Sequence, residues 1–264
     1  MSSQVILRLL PRARCMFDEP VQVTVSGLRA RQVVTMRARS TDEKGVEFSS
    51  SATYKADGNG EINLERDPSL SGSYVGVEPM GLLWSMRADV LHKRFQKTKS
   101  LNPHVVKFSV HEEEGEGRML AEATNERLVM GDGVSRRPVK EGNIRGVLFT
   151  PPGGGPFPAV LDLYTFGGGL SEKRASLLAS RGFVVKRHGK QNFESVCYPG
   201  AGHYLEPPYG PYCPSSFHGV VGKPVLWGGE PRSHAAAEVQ LWKKIQEFFT
   251  THLSCDAAQT KAKL

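Results

Sequence analysis

From Val21 to about Thr150 the chain alternates hydrophobic and polar residues in short runs. VQVTVSGL, QVVTMRARS and VEFSSSATYK each keep this period for several residues. A period of two places one face of a strand in a core and the other in water. Asp57-Gly58-Asn59-Gly60 follows the third run as a turn. Further on, HVVKFSVHEEEGEGRMLAEATNERLV reads as strand, acidic hairpin tip and strand, and IRGVLFTPP as one more strand. Strand-sized segments at regular spacing, separated by Gly, Asp and Asn, predict an antiparallel β-sandwich of the immunoglobulin-like kind. The run that best matches a helical period here is MRADVLHKRF, residues 86–95.

The texture changes after Pro151. PPGGGPFP is a loop, AVLDLY an apolar strand, and TFGGGLSEKRASLLASRGFVV a glycine loop leading into a helix and a second strand. The helix is expected from about Glu172 to Arg181, with Ser171 as its N-cap and Gly182 as its stop. Strand, loop, helix, strand is an α/β signature. Near the end, HAAAEVQLWKKIQEFFTTHL spaces Val239, Trp242, Ile245, Phe249 and Leu253 three and four apart. That spacing predicts a long amphipathic helix whose stripe packs on a core. The expected fold is therefore α+β with two domains, residues 1–143 and 144–264.

Composition narrows the function classes. A formal net charge of +7 is spread among interspersed acids and bases. With no basic helix or Lys/Arg run, it does not point to nucleic acid. An anionic small substrate suits it. The four cysteines (Cys15, Cys197, Cys213 and Cys255) are widely spaced and form no metal-ligand pattern. Free thiols in a reducing compartment are the simplest reading, and no metal is expected. No apolar run is long enough to span a membrane. The first fifteen residues hold three arginines and no acid, as a transit-like segment would. The chain finishes Ala262-Lys263-Leu264, close to the peroxisomal address typified by S-K-L, so an import receptor is an expected partner. Peroxisomal residence is the expectation, with the cytosol as the alternative.

Two loops carry candidate chemistry. Gly167, Gly168 and Gly169 leave backbone N–H groups unshielded at the mouth of a helix, a setting that binds anions. Glu172 takes the place of the third glycine of a dinucleotide fingerprint, and no Gly-Lys-Ser/Thr follows. The loop is thus either an oxyanion-hole loop or a tight turn needing positive φ. His203 sits in Gly-Ala-Gly-His-Tyr directly after the apolar run from Phe193 to Tyr198. A general-base histidine is presented this way at the top of a late strand.

The blocks VQVTVSGLRARQVVTMRARSTDEKG, SYVGVEPMGLLWSM, PPGGGPFPAVLDLYTFGGGLSEKRASLLASRGFVV and GHYLEPPYGPYC followed by GKPVLWGGEPRSHA resemble the type I acyl-CoA thioesterases. That family includes the bile acid-CoA:amino acid N-acyltransferases. The resemblance covers nearly the whole chain. It implies a β-sandwich followed by an α/β-hydrolase domain, acyl-CoA as substrate, and no cofactor beyond the coenzyme A of that substrate. It implies a Ser or Cys nucleophile, an Asp and a His as the catalytic set. His203 matches the histidine, and Gly167, Gly168 and Gly169 match the glycine loop.

The other two catalytic positions have no match. Family members place the nucleophile elbow, several strands and the acid between the strands matching GFVV and ESVCYP, where this chain has only residues 186–192. No G-x-S-x-G or cysteine equivalent is present. Ser171 reads as a helix cap and Cys197 as a buried strand residue. Cys213 and Ser215 follow Pro-rich sequence, and Asp162 lies on the early strand. The expectation is a family member with an impaired or purely binding role and a truncated hydrolase domain, as a spliced product would have. An N-acyltransferase relative is the alternative.

Overall fold

The computed structural model describes residues 4–96, 101–113, 117–141, 144–162, 172–184 and 196–253. The first half contains, in chain order, β1 (Ile6–Leu10), β2 (Arg14–Met16), β3 (Gln22–Ser26), β4 (Val33–Thr41), β5 (Glu47–Lys55), β6 (Ile62–Asn63), β7 (Ser71–Gly72), α1 (Gly81–Trp84), β8 (Arg87–Ala88), β9 (His104–Glu112) and β10 (Met119–Leu128). There follow β11 (Ser135–Glu141), β12 (Ile144–Thr150), α2 (Lys173–Ser180), β13 (Ser215–His218), β14 (Lys223–Leu226) and α3 (Pro231–Leu253).

Two sheets form the sandwich. One has the order β1-β3-β6, and the other runs β2-β10-β9-β4-β5-β7 with β8 also on β5. All pairings are antiparallel except that of β2 with β10. Alternation sets the register. Val34, Met36 and Ala38 of β4 stand opposite Tyr54, Ala52 and Ser50 of β5, so the buried residues of both strands share one face. Val110 and Phe108 of β9 meet Met36 and Ala38 from the other side. Leu7, Leu9, Val23 and Val25 of the smaller sheet complete the same apolar core. A one-residue slip would turn every one of these side chains to water.

The turn after β5 is as expected. Asp57 Oδ1 accepts from the N–H groups of Asn59 (2.8 Å) and Glu61 (3.0 Å), while Gly60 has φ +77° against the Leu28 carbonyl. That contact leaves no room for a Cβ.

One expectation is corrected. Residues 86–95 do not form a helix: Arg87–Ala88 pair with β5, and Val90 and Leu91 are exposed. Pairing with an available sheet edge overrode a weak helical period. In the arginine-bearing N-terminal segment, Ile6–Leu10 is a strand of the sandwich paired with β3.

Beyond the sandwich, the β11–β12 hairpin spans the boundary expected at 143/144, and Phe149 of β12 packs with Val134 and Ala179 of α2. α2 begins at Lys173, with Glu172 rather than Ser171 at its cap, and stops at Gly182, φ +94°. Ser171 lies outside the described residues. The two strands expected around this helix are reduced, among the described residues, to one parallel bridge between Ala159 and Val184.

α3 buries Trp242 against Leu177, Leu178, Phe183, Val129 and Phe17, with Ile245, Phe249 and Leu253 packed partly on this cluster. Val239 does not belong to the buried stripe. It is exposed, and the buried positions one turn and more before Trp242 are His234, Ala237 and Glu238. The indole N–H of Trp242 donates to Asp18 Oδ2 at 2.8 Å, and Arg181 also pairs with Asp18.

Asp18 lies in a segment held by Arg127. This fully buried guanidinium donates to the carbonyls of Phe17 and Glu19, both at 2.7 Å. Burial pushes the Arg127 pKa down, against the charges around it.

Candidate active site

The loop carrying His203 is fixed by its backbone. Gly200 (φ +79°) accepts from the N–H of Glu230, and the N–H of His203 donates to the Trp227 carbonyl at 2.8 Å. Gly202 approaches Gly228 so closely that a Cβ would clash with the Gly228 carbonyl. A Cβ on Gly229 would in turn meet the Gly202 nitrogen, so the two loops lock together with glycine required at positions 202 and 229.

Beneath the loop, α3 supplies a buried polar clamp. His234 Nδ1 accepts from the Gly202 N–H at 3.0 Å, and Glu238 Oε1 accepts from the Glu206 N–H at 3.1 Å. His234 and Glu238 are one turn apart, 3.5 Å between Nε2 and Oε1, so a single helix face holds both ends of residues 202–206. Lys173 of α2 pairs with Glu206 at 3.0 Å. Burial pushes the Glu238 carboxyl up. Burial raises Glu206 too, but the Lys173 ammonium, together with Arg174 and a hydrogen bond from Tyr204, holds Glu206 below the usual glutamate range. The signal that could have found this clamp is a spacing, since His234, Glu238 and Trp242 recur every four residues along one face.

His203 itself points outward. Its ring stacks on Trp227 (centroids 5.7 Å apart, 12° between planes) and is exposed. No hydrogen bond or ion pair of its imidazole occurs among the described residues. The carboxylates of this part of the chain have other partners: Asp162 pairs with Arg174, Glu172 with Arg136, and Glu206 and Glu238 as above. Glu230 accepts from the N–H groups of Arg232 and Ser233, which caps α3.

The thiols and hydroxyls are likewise apart from it. Cys197 is exposed in irregular chain at 196–198, which corrects the expectation of a buried strand residue. Cys213 is buried, and burial raises its thiol. Ser215 shares a hydrogen bond with His92 Nδ1 at 2.9 Å, not with His203. Gly167, Gly168 and Gly169 lie outside the described residues, as do Ala262, Lys263 and Leu264. No cluster of three metal-ligating side chains occurs among the described residues. Among them no helix is long and apolar enough to cross a membrane.

Residues 18–141 match the family model described as "Acyl-CoA thioester hydrolase/BAAT N-terminal region", and residues 176–255 match "BAAT / Acyl-CoA thioester hydrolase C terminal". The chain belongs to the acyl-CoA thioester hydrolase/BAAT family. Acyl-coenzyme A thioesterase 3 of Mus musculus is 30% identical, with 100% of this chain and 98% of the relative covered. The mitochondrial acyl-coenzyme A thioesterase 2 of Homo sapiens is 30% identical over 94% of this chain and 84% of its own length. A peroxisomal succinyl-coenzyme A thioesterase of Mus musculus is 28% identical over 98% and 99%. The alignment with thioesterase 3 runs over 424 positions, whereas this chain has 264 residues.

Proposed function

We propose that this chain is an acyl-CoA thioesterase family protein that binds acyl-CoA but turns it over poorly or not at all. The chemistry of the family reaction is attack on the thioester carbonyl, loss of coenzyme A as thiolate, and hydrolysis of the acyl group to a free fatty acid. It needs a nucleophile, a base to take its proton, and an acid to orient the base. The observation that carries the reading is the isolation of His203, a well-positioned imidazole with neither a carboxylate nor a hydroxyl or thiol beside it among the described residues.

The length difference from thioesterase 3 supports placing the loss in the middle of an α/β-hydrolase domain, between residues 184 and 196. The bridge at Ala159 and Val184 and the packing of α2 and α3 fit the two ends of such a domain. The reaction calls for no cofactor besides the coenzyme A of the substrate. Gly167, Gly168 and Gly169 would supply N–H donors to the thioester oxygen.

The test sets equilibrium binding of a nonhydrolysable long-chain acyl-CoA analogue beside hydrolysis of the corresponding thioester. Binding without turnover is expected. Turnover at rates typical of enzymes would overturn the reading, and absence of both would leave a fragment without function. Amino acid acceptors added to the same assay separate the N-acyltransferase alternative.

The compartment follows from the tail. Ala262-Lys263-Leu264 is proposed as an address read by the peroxisomal import receptor. Deleting Leu264 should move an N-terminally tagged chain from peroxisomes to the cytosol, and unchanged location would refute it.

A further inference from the structure

We propose that Ser215 and His92 form a nucleophile–base pair through which the chain takes an acyl group from acyl-CoA onto the Ser215 hydroxyl. The proposal rests on the acyl-CoA binding put forward above and adds a covalent step at a place apart from His203. Ser215 Oγ and His92 Nδ1 lie 2.9 Å apart, although the two residues are 123 positions from each other in the chain. That is the reach at which an imidazole takes the proton of an attacking hydroxyl. With the ring proton on Nε2, Nδ1 accepts from the Ser215 hydroxyl. His92 is exposed and Ser215 half-buried, so a substrate can reach the pair from solvent.

The backbone holds both partners. His92 has φ +59°, a left-handed conformation that costs energy and persists where its surroundings enforce it. Its carbonyl accepts from the Phe217 N–H, which ties it to the outer edge of β13. Alternation in an antiparallel pair sends the Ser215 N–H off the strand on the same side as that of Phe217. This is a donor on the nucleophile's own residue for the charge that develops on the thioester oxygen. The Ser215 carbonyl accepts from the Cys213 thiol at 3.5 Å, and the Trp227 N–H donates to the adjacent Pro214 carbonyl.

The surface beside the pair suits a fatty acyl chain. Ser215 shares one face of the β13–β14 hairpin with Phe217, Pro224 and Leu226. Phe217 is 61% and Leu226 83% exposed, and Leu91, next to His92 in the chain, is 82% exposed. An acyl group on Ser215 would cover apolar surface that otherwise faces water. In the step, Oγ bonds to the thioester carbonyl carbon and the carbon–sulfur bond breaks. The hydroxyl proton passes to His92 Nδ1 and from there to the departing thiolate. The products are free coenzyme A, an O-acyl serine and a neutral imidazole. The oxygen ester is the more stable acyl bond of the two, so the group stays and release stops at one equivalent.

The test incubates the full chain with palmitoyl-CoA, following coenzyme A release by thiol titration and the adduct by intact-mass and peptide mass spectrometry. One acyl group per chain is expected, on Ser215, resistant to the neutral hydroxylamine that cleaves thioesters. His92→Asn keeps a residue that tolerates the left-handed backbone. It should slow acylation about a hundredfold and leave binding of the nonhydrolysable analogue unchanged. Ser215→Ala should take up no acyl group. Ser215→Cys should take it up as a thioester that hydroxylamine removes, a gain that loss of folding cannot mimic. An adduct on another residue, an undiminished rate in His92→Asn, or a hydroxylamine-resistant adduct in Ser215→Cys overturns the proposal. A chain that binds the analogue but takes up no acyl group overturns this step alone. A chain that does neither overturns the acyl-CoA-binding reading with it.

Discussion

The sandwich and the part after Pro151 bury apolar surface in different ways. In the sandwich, Met36 and Ala38 face Ala52, Ser50, Val110 and Phe108 across hydrogen-bonded ladders, and the core closes on strands of the same region. In the later part, Leu177, Leu178, Phe183 and Trp242 close only by including Phe17 and Val129, which precede them by more than a hundred positions in one case and come from the end of the sandwich in the other. The later part also leaves Leu161, Val196, Phe217, Val220, Val221 and Leu226 exposed. An element that makes its own ladder satisfies backbone and side chains together. Segments without a ladder must lean on a neighbour that has one.

The comparison breaks most visibly at Trp242. Trp242→Ala removes the largest side chain joining α3 to the cluster and leaves Asp18 Oδ2 with the Arg181 Nε–H as its donor. A cost of about 3–5 kcal/mol is expected. It should appear as faster proteolysis beyond residue 151 while the sandwich keeps its own unfolding transition. Phe108→Ala, of similar expected cost, should take both regions down together. Loss of the sandwich transition in Trp242→Ala would show that the dependence runs both ways.

A smaller effect separates the regions by pH. Glu206 has a lowered pKa in the fold, so the stability it contributes is complete above the unfolded glutamate value, about 4.3, and is lost as pH falls through the lower folded value. Glu238, raised by burial, works the other way: its contribution is present below the unfolded value and lost as pH rises through the higher folded one. Lys173→Met should cost about 1–2 kcal/mol near neutral pH by leaving Glu206 without its cation. Protease protection of α3 across pH 3–8 reads both, with the sandwich as internal control. The same cost at all pH values would show that Lys173 acts by packing alone.

The sequence was most readable where local period and tertiary pairing agree. β4 and β5 alternate in the chain and alternate in burial, the Asp57–Gly60 turn has the side chain and the positive φ it needs, and Gly182 ends α2. It was least readable where tertiary context decides. Among the described residues the apolar run at 159–162 makes one bridge, and a buried parallel strand is set by its neighbours and not by its own period. Residues 86–95 followed an edge of β5 instead of their own period, and β13–β14 was hidden because its outward face is apolar. The glycine-bearing loop that presents His203 was legible as a loop. The His234–Glu238 clamp was not, because a search for an apolar stripe passes over buried polar residues on the same face.

The proposed absence of catalytic partners for His203 is tested most directly by comparing acyl-CoA hydrolysis by the unmodified chain and by His203→Ala. Both should bind the nonhydrolysable analogue, and neither should hydrolyse a long-chain acyl-CoA faster than buffer, because an imidazole with no nucleophile to activate contributes no covalent step. Turnover by the unmodified chain that drops about tenfold or more in His203→Ala would contradict it.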